Sequence, residues 1–275
     1  MNLSEVRDFA REIALSRITP WEECASGVWL KRDDTFEVAG VRGGKVRTCL
    51  ALAEAALERG AEGLVTAGSR QSPQVNIVAQ IGRALRVPVR AYVPFGRPGS
   101  ELELAALAGA RLIPTRPGYN GVLAARARQD ADLSGYGLIP FGMECAEAVE
   151  ATRQQARDLP PEVDRLVVPV GSAMSLAGIL WGLLDGDRRV PVLGVCVGAD
   201  PERRLDLWAP PLWRALVELA PARLPYAAAA PDASYFGVDL DPHYEAKCVP
   251  ELRFGDGFWL VGIRGVHSNR EEVAT

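Results

Sequence analysis

Histidine is scarce in this sequence, and His243 and His267 are its two copies among 275 residues. The five cysteines stand too far apart to form a Cys-x-x-Cys pair. Zinc sites in proteins depend on cysteines and histidines at short, paired spacings, so the sequence predicts no metal site. An odd number of separated cysteines also argues against a disulfide framework. We therefore expect the protein in a reducing compartment, the cytoplasm.

Long apolar runs and a strong charge of one sign are also missing. No stretch of about 18 apolar residues occurs, and residues 1–17 mix acids and bases without the apolar centre of a signal peptide. The 31 basic and 35 acidic residues leave a net charge of −4, which indicates no general nucleic-acid surface. These absences predict a protein without a membrane or nucleic-acid partner.

Two common catalytic motifs are absent as well. The Gly-x-Ser-x-Gly elbow of serine hydrolases does not occur, and Gly171-Ser-Ala-Met-Ser175 lacks the Gly-x-Gly-x-x-Gly spacing of dinucleotide-binding loops. What the sequence has in quantity is apolar side chains, at 48% of its residues. In a chain of this length they are sufficient for a large core, which could be divided between two lobes.

Short apolar strands alternate with helical segments along the chain. Helices are predicted at residues 5–15, 46–59, 75–85, 101–108, 120–131, 145–159 and 176–184. Strands are predicted at residues 64–67, 89–93, 111–114, 136–140, 166–170, 192–197 and 258–263, with a loop at 221–231. This alternation is typical of mostly parallel sheets covered by helices on both faces.

Lys45 is a candidate reactive lysine because of its position in Arg42-Gly-Gly-Lys-Val-Arg47, directly before a helix. The two glycines allow a tight turn and a close approach of the backbone to a bound molecule. The helix then fixes the position of the lysine, whose amine could form a Schiff base. An ordinary turn with a solvated lysine would give the same local pattern, so other segments must decide.

The second segment of interest is a strand followed by small residues and a helix. Residues 166–170 are apolar, and Gly171, Ser172, Ala173, Met174 and Ser175 separate them from the next helix. Free backbone N–H groups and the positive end of the helix dipole meet in such a loop. The pattern therefore predicts a phosphate-binding loop.

These segments, together with three others, resemble the fold-type II pyridoxal-phosphate enzymes of the tryptophan synthase β-like superfamily. The similarity is greatest to the branch of 1-aminocyclopropane-1-carboxylate deaminase and D-cysteine desulfhydrase. It extends over roughly residues 20–265, and its motifs are Lys31-Arg32-Asp33-Asp34, the Gly-Gly-x-Lys-x-Arg pattern at Lys45, Gly68-Ser-Arg-Gln-Ser-Pro-Gln74, Gly171 to Ser175, and Asp241-Pro-His-Tyr-Glu-Ala-Lys247. No single motif is perfect; their order along the chain carries the resemblance.

The resemblance implies a fold, a cofactor and an assembly. We expect an α/β protein with two lobes of parallel sheets covered by helices. Residues 1–48 and 144–275 would form a large cofactor-binding lobe, and residues 49–143 a small mobile lobe. The cofactor would be pyridoxal 5'-phosphate, the substrate a small amino acid, and the assembly a homodimer.

The resemblance also implies a role for particular side chains, each of which has a simpler alternative. Lys45 would bind the cofactor covalently and move a proton at the substrate carbon; otherwise it is a surface lysine. Ser72 could position the substrate carboxylate or pass a proton, although a plain helix N-cap has the same sequence. Tyr244 could serve as acid or base, or simply pack on a strand. Glu245 would face the pyridine nitrogen and keep it protonated, or remain a solvated acid.

The phosphate would be held by Gly171, Ser172, Ala173, Met174 and Ser175, although Ala173 and Met174 replace two glycines of the family pattern. Two asparagines of that pattern are replaced by Gly44 and Pro73. Because proline has no N–H, the contact of the second asparagine with the cofactor would be lost or supplied by Asn76. A segment before Asp241 is also shorter than in the relatives.

From these features we expect a pyridoxal-phosphate-dependent lyase or deaminase that abstracts a proton from a small amino acid and eliminates, releasing ammonia and a keto acid. One alternative is β- or γ-replacement, as in cysteine or threonine synthases. Another is an enzyme that acts on an amine carried by a larger molecule such as a nucleotide, because the shorter segment before Asp241 could open the site. A third is a non-catalytic relative that kept the fold for binding.

Overall fold

The computed structural model of the protein describes residues 17–70, 72–116, 120–186 and 188–262. The helix predicted at residues 5–15 lies outside the described residues, as does residue 263 of the last predicted strand. The strands are β1 (Trp21–Glu23), β2 (Trp29–Arg32), β3 (Glu37–Val38), β4 (Val41–Arg42), β5 (Leu64–Ala67), β6 (Val89–Pro94), β7 (Arg111–Thr115), β8 (Gly137–Ile139), β9 (Arg165–Val170), β10 (Val192–Cys196), β11 (Val217–Pro221), β12 (Ser234–Tyr235), β13 (Val238–Asp239) and β14 (Asp256–Leu260).

Seven α-helices are described: α1 (Gly44–Glu58), α2 (Gln74–Leu85), α3 (Ser100–Leu107), α4 (Asn120–Ser134), α5 (Ala146–Gln155), α6 (Met174–Asp185) and α7 (Glu202–Trp208). Short 3-10 helices occur at Asp33–Thr35, Phe141–Met143, Trp213–Ala215 and Glu245–Glu251. No helix in the described ranges has both the length and the apolar character to cross a membrane.

The strands form two main sheets. The larger sheet has the order β1-β2-β14-β9-β10-β11, and all of its pairs are parallel except β1 with β2. The smaller sheet has the order β7-β6-β5-β8 and is entirely parallel. The prediction of an α/β protein with two parallel sheets covered by helices is thus confirmed.

Alternating side chains on the central strands explain why each sheet is covered on both faces. On β9, Leu166 and Val168 belong to one apolar core, whereas Val167 belongs to the core on the opposite face. On β5, Leu64 packs into one core and Val65 into another. Because all five side chains are fully buried, neither face can be left to water.

The differences between predicted and observed elements have local causes. The helix predicted at residues 145–159 ends at Gln155, because Pro160 and Pro161 disfavour helical backbone just before them. The sequence did not predict helix α7 or the strands β1, β2, β3, β4, β11, β12 and β13. These strands have two to five residues and α7 has seven, which is too short for a clear apolar period.

The strands of the smaller sheet all fall within residues 49–143, and those of the larger sheet fall outside that range. The boundaries of the two predicted lobes, the mobility of the smaller one and the homodimer stay predictions.

Candidate active site

A cavity of about 260 Å³ lies where strands of both sheets end. The loops after β5, β8, β9 and β10 all contribute to its wall, through Ser72, Gly142, Ser172 and Gly198 among others. Ligands of open parallel sheets bind in this position, beyond the carboxyl ends of the strands. The lining residues are Lys45, Ser69, Ser72, Pro73, Asn120, Phe141, Gly142, Gly171, Ser172, Gly198, Ala199, Arg204, Tyr226, Asp241, His243 and Tyr244.

Lys45 reaches this cavity from the first turn of α1, and the preceding glycine makes that possible. Gly43 has a φ of +101°, and a side-chain carbon at this position would overlap the carbonyl oxygen of Gly262. The N–H of Gly44 donates to the carbonyl of Val261 at 3.1 Å. The chain therefore passes close to the backbone just after β14, while the approach to a bound molecule stays a prediction.

The surroundings of Lys45 make its amine a better nucleophile. Burial, followed by the positive charge of Arg204, lowers the pKa of Lys45 to about 8. More of the amine is then neutral near neutral pH than in an exposed lysine, and the neutral amine is the state that attacks a carbonyl.

The motif at residues 31–34 does not line the cavity but contacts the segment that carries Lys45. Asp33 accepts a hydrogen bond from Arg47 of α1 at 2.5 Å, and both side chains are buried. Lys31 donates to the carbonyl of Thr19 at 2.6 Å. These contacts join β2 to the start of α1, so this part of the family pattern positions the lysine segment structurally.

A smaller cavity adjoins the first at the start of α6. Its lining includes Lys45 and four of the five predicted phosphate ligands, Gly171, Ser172, Ala173 and Ser175. Met174 is buried but does not line it. Ala173 caps the helix in the left-handed conformation, with a φ of +66°, so the backbone adopts the turn that two glycines favour in the family pattern.

Tyr244 lines both cavities, with its phenol against the α-carbon of Gly171. Burial raises its pKa well above the ordinary value, so the phenol is a proton donor at neutral pH.

Glu245 is buried behind the cavities and does not line either of them. It accepts hydrogen bonds from the N–H groups of Gly262 at 2.7 Å and Asp241 at 3.1 Å. Burial, followed by the charge of Asp241, raises its pKa to about 7.

Ser72 and Asn76, which the sequence places near one another, have different positions. Ser72 lines the main cavity, and its hydroxyl accepts a hydrogen bond from the N–H of Gln74 at 3.3 Å. Asn76 is buried away from both cavities: its amide donates to Glu101 at 3.1 Å and accepts from Gln80 at 3.2 Å. This placement contradicts the prediction that Asn76 replaces the missing family asparagine, because one turn of helix carries its side chain away from the cavity.

Several ionisable side chains of the cavity wall were not predicted as site residues. Arg204 comes from the unpredicted helix α7, and Tyr226, Asp241 and His243 come from the segment around the motif at residues 241–247. A signal for Arg204 was available, because α7 follows the carboxyl end of a buried strand, where ligand-binding residues gather.

The chain is similar to known proteins in sequence and in structure. The family described as "Pyridoxal-phosphate dependent enzyme" matches residues 12–206. The biosynthetic L-threonine dehydratase of Corynebacterium glutamicum is 28% identical, over 63% of this chain and 41% of the relative. The 1-aminocyclopropane-1-carboxylate deaminase of Methylobacterium sp. (strain 4-46) is 25% identical, over 68% of this chain and 62% of the relative. The chain thus spans less than two thirds of the length of both relatives.

Solved structures agree on the fold. The crystal structure of an ACC deaminase homologue has a TM-score of 0.71 at 20% identity, covering 94% of this chain and 95% of the other. Threonine deaminase isoform 2 from Solanum lycopersicum has a TM-score of 0.63 at 14% identity, covering 98% and 90%. With the family match over more than half of its length, the chain belongs to the pyridoxal-phosphate dependent enzymes of fold type II, related to deaminases and dehydratases, and pyridoxal phosphate is its cofactor.

Proposed function

We propose that the protein is a lyase or deaminase that abstracts a proton from a small amino acid, eliminates a group from it and releases ammonia and a 2-keto acid. The observation that carries the proposal is the position of Lys45. Its amine, with a pKa lowered to about 8, lines one cavity together with Ser72, Tyr244 and the loop at Gly171.

The residues present fit the cofactor. When bound, pyridoxal phosphate supplies an aldehyde for a lysine amine and an electron-withdrawing ring for a developing carbanion. Lys45 would hold it covalently, and the small cavity at the start of α6, where the backbone turns through Ala173, would take its phosphate. Glu245 is buried outside both cavities and would face the pyridine nitrogen after a change of rotamer.

The chain's own side chains would divide the remaining work. Ser72 and the N–H groups at the start of α2 would bind the substrate carboxylate. The amine of Lys45, once displaced by the amino group of the substrate, would accept the proton from the substrate α-carbon. Tyr244, neutral in its buried position, would donate a proton to the leaving group or to the product carbon.

The proposal is tested in two stages. Purified protein with the cofactor should show an absorbance band of the lysine-bound form that borohydride makes permanent, and Lys45→Ala should abolish the band. The loaded enzyme should then release ammonia and a keto acid from at least one small amino acid, in either stereochemical form.

The other outcomes separate the alternatives. Product formation that requires an added nucleophile such as sulfide would identify a replacement enzyme. Turnover confined to amines carried on nucleotides would identify an enzyme for larger substrates. A wild-type protein that never forms the band would be a non-catalytic relative.

A further inference from the structure

Arg204 stands out in the cavity because it is a permanent cation that the proposed reaction does not use. Of the described residues that line the cavity, two have a lysine or arginine side chain, namely Lys45 and Arg204. Lys45 would be bound to the cofactor, so Arg204 would be the cation left for the substrate.

Arg204 is held in place by one edge of its guanidinium. Its Nε atom donates to Oε2 of Glu144 at 3.1 Å. The other oxygen of Glu144 accepts from the indole of Trp208 at 3.4 Å, one turn further along α7. The carboxylate therefore fixes the arginine relative to its own helix.

The outer part of the guanidinium remains available for a ligand. Within residues 17–262 as far as they are described, Nη1 and Nη2 of Arg204 have no hydrogen-bond partner, and the side chain is 31% exposed. A planar pair of N–H groups matches the two oxygens of a carboxylate or the face of a phosphate. A lysine at this position would offer only a point charge.

A second polar side chain in the cavity wall is His243. His243 lines the same cavity, and its ring Nδ1 lies 3.4 Å from the carbonyl of Tyr226. That contact would orient the ring through one nitrogen and leave the other for a ligand. The cavity wall thus contains the guanidinium of Arg204 and the imidazole of His243, together with the carboxylate of Asp241.

The substrate carboxylate already has a place in the proposed function, at Ser72 and the start of α2. From these observations, and resting on that proposed function, we infer that Arg204 binds a second anionic group, so that the preferred substrate is an amino acid whose side chain ends in a carboxylate or a phosphate. Glu144 would position Arg204 without touching the substrate.

The inference is tested on the holoenzyme with neutral and anionic amino acids, the chiral ones as D and L isomers. Serine, cysteine and 1-aminocyclopropane-1-carboxylate carry one anionic group, whereas aspartate, glutamate and O-phosphoserine carry an additional one. Spectral titration of the bound cofactor gives Kd, and keto acid release gives kcat and KM separately. We expect Kd and KM to be lower for one of the anionic compounds than for the neutral ones. Comparison of aspartate with O-phosphoserine then shows whether the group that Arg204 binds is a carboxylate or a phosphate.

The variants are Arg204→Gln, Arg204→Lys and the control Arg203→Gln. Arg203 is the exposed neighbour on the same helix and does not line the cavity. For the anionic substrate, Arg204→Gln should raise KM about 10- to 100-fold, as expected for loss of a hydrogen-bonded charge pair, and Arg204→Lys should restore part of the affinity. Arg203→Gln should behave like the wild type for every substrate, and Arg204→Gln should weaken binding of the anionic substrate far more than binding of the neutral amino acids.

The results that overturn the inference differ from those that overturn the proposed function. Suppose that neutral amino acids are turned over normally, that anionic ones are not preferred, and that Arg204→Gln and Arg203→Gln have equal effects. This combination would reject the anionic subsite, while the proposed lyase activity would stand. If Arg204→Gln fails to fold, a wild-type preference for neutral amino acids rejects the subsite by itself. Absence of the lysine-bound absorbance band in the wild type rejects both.

Discussion

The positive charge of Arg204 influences the protonation of Lys45. Burial and the arginine both lower the pKa of Lys45, to about 8. Since only the neutral amine attacks an aldehyde, capture of the cofactor by the apo-protein should accelerate as the pH rises through about 8 and level off above it.

Removing the charge of Arg204 should move this profile in a defined direction. Arg204→Gln takes away a cause of the lowered pKa, so the midpoint of the rate of cofactor capture should shift to higher pH. Stopped-flow absorbance at a series of pH values measures it. Arg203→Gln removes the same charge one residue away and should leave the midpoint in place; equal shifts in the two variants would show that the guanidinium in the cavity has no special influence.

Gly43 is the residue on which the position of Lys45 depends. A methyl group there would overlap the carbonyl of Gly262 and would have to occupy a φ of +101°. Gly43→Ala should therefore lower the free energy of unfolding by more than about 2 kcal/mol and slow cofactor capture.

Gly60 provides the matched control for that substitution. Its φ is +90°, but a methyl group there would meet open space. Gly60→Ala should cost about 1–2 kcal/mol, the conformational part alone. Denaturant unfolding of both variants checks this, and equal costs would mean that the close approach to β14 contributes nothing.

At the scale of elements, the hairpin β3–β4 delivers the chain to the lysine segment. Val38 pairs with Val41 across a turn made by Ala39 and Gly40, whose φ angles are +55° and +78°. Such two-residue turns favour Asn-Gly, because asparagine tolerates the left-handed region better than alanine.

Two opposite substitutions in this turn test whether the hairpin is a stabilising element. Ala39→Asn should raise the free energy of unfolding by about 0.5–1 kcal/mol, and Gly40→Ala, which meets no neighbouring atom, should lower it by about 1–2 kcal/mol. Thermal and denaturant unfolding of the apo-protein give both values. Changes of the same sign in the two variants would contradict the conformation described for the turn.

At the scale of the whole molecule, the cavity exists only when loops from both sheets come together, as Ser72 and Ser172 do in its wall. An unfolded chain offers no such site, so cofactor binding should stabilise the folded state. At a cofactor concentration of 100 Kd the gain is about 2.7 kcal/mol.

The melting temperature of the wild type should therefore rise with the concentration of pyridoxal phosphate. The rise should be smaller with pyridoxal, which lacks the phosphate, and much smaller when pyridoxal phosphate is added to Lys45→Ala. Differential scanning fluorimetry measures all three. An equal rise with the two compounds would show that the loop at Gly171 to Ser175 does not bind the phosphate.

The sequence alone was enough to predict the four strands of the smaller sheet, three of the six strands of the larger sheet, most helices and the candidate roles of Lys45, Ser72, Tyr244 and the loop at Gly171. These depend on patterns within a few residues: an apolar strand, a glycine turn, a helix start. Local rules of backbone conformation and burial act at that range. The family resemblance then identified the cofactor, because its motifs keep their order along the chain.

Tertiary structure alone decided which side chains meet. Asn76 was expected at the cofactor but lies one turn too far along α2, where Glu101 binds its amide at 3.1 Å. Arg204, which no motif marks, lies in the wall because β10 ends beside β9 and α7 follows it. Contacts between residues far apart in sequence depend on how strands are ordered and helices are turned, and no local period of the sequence encodes that order.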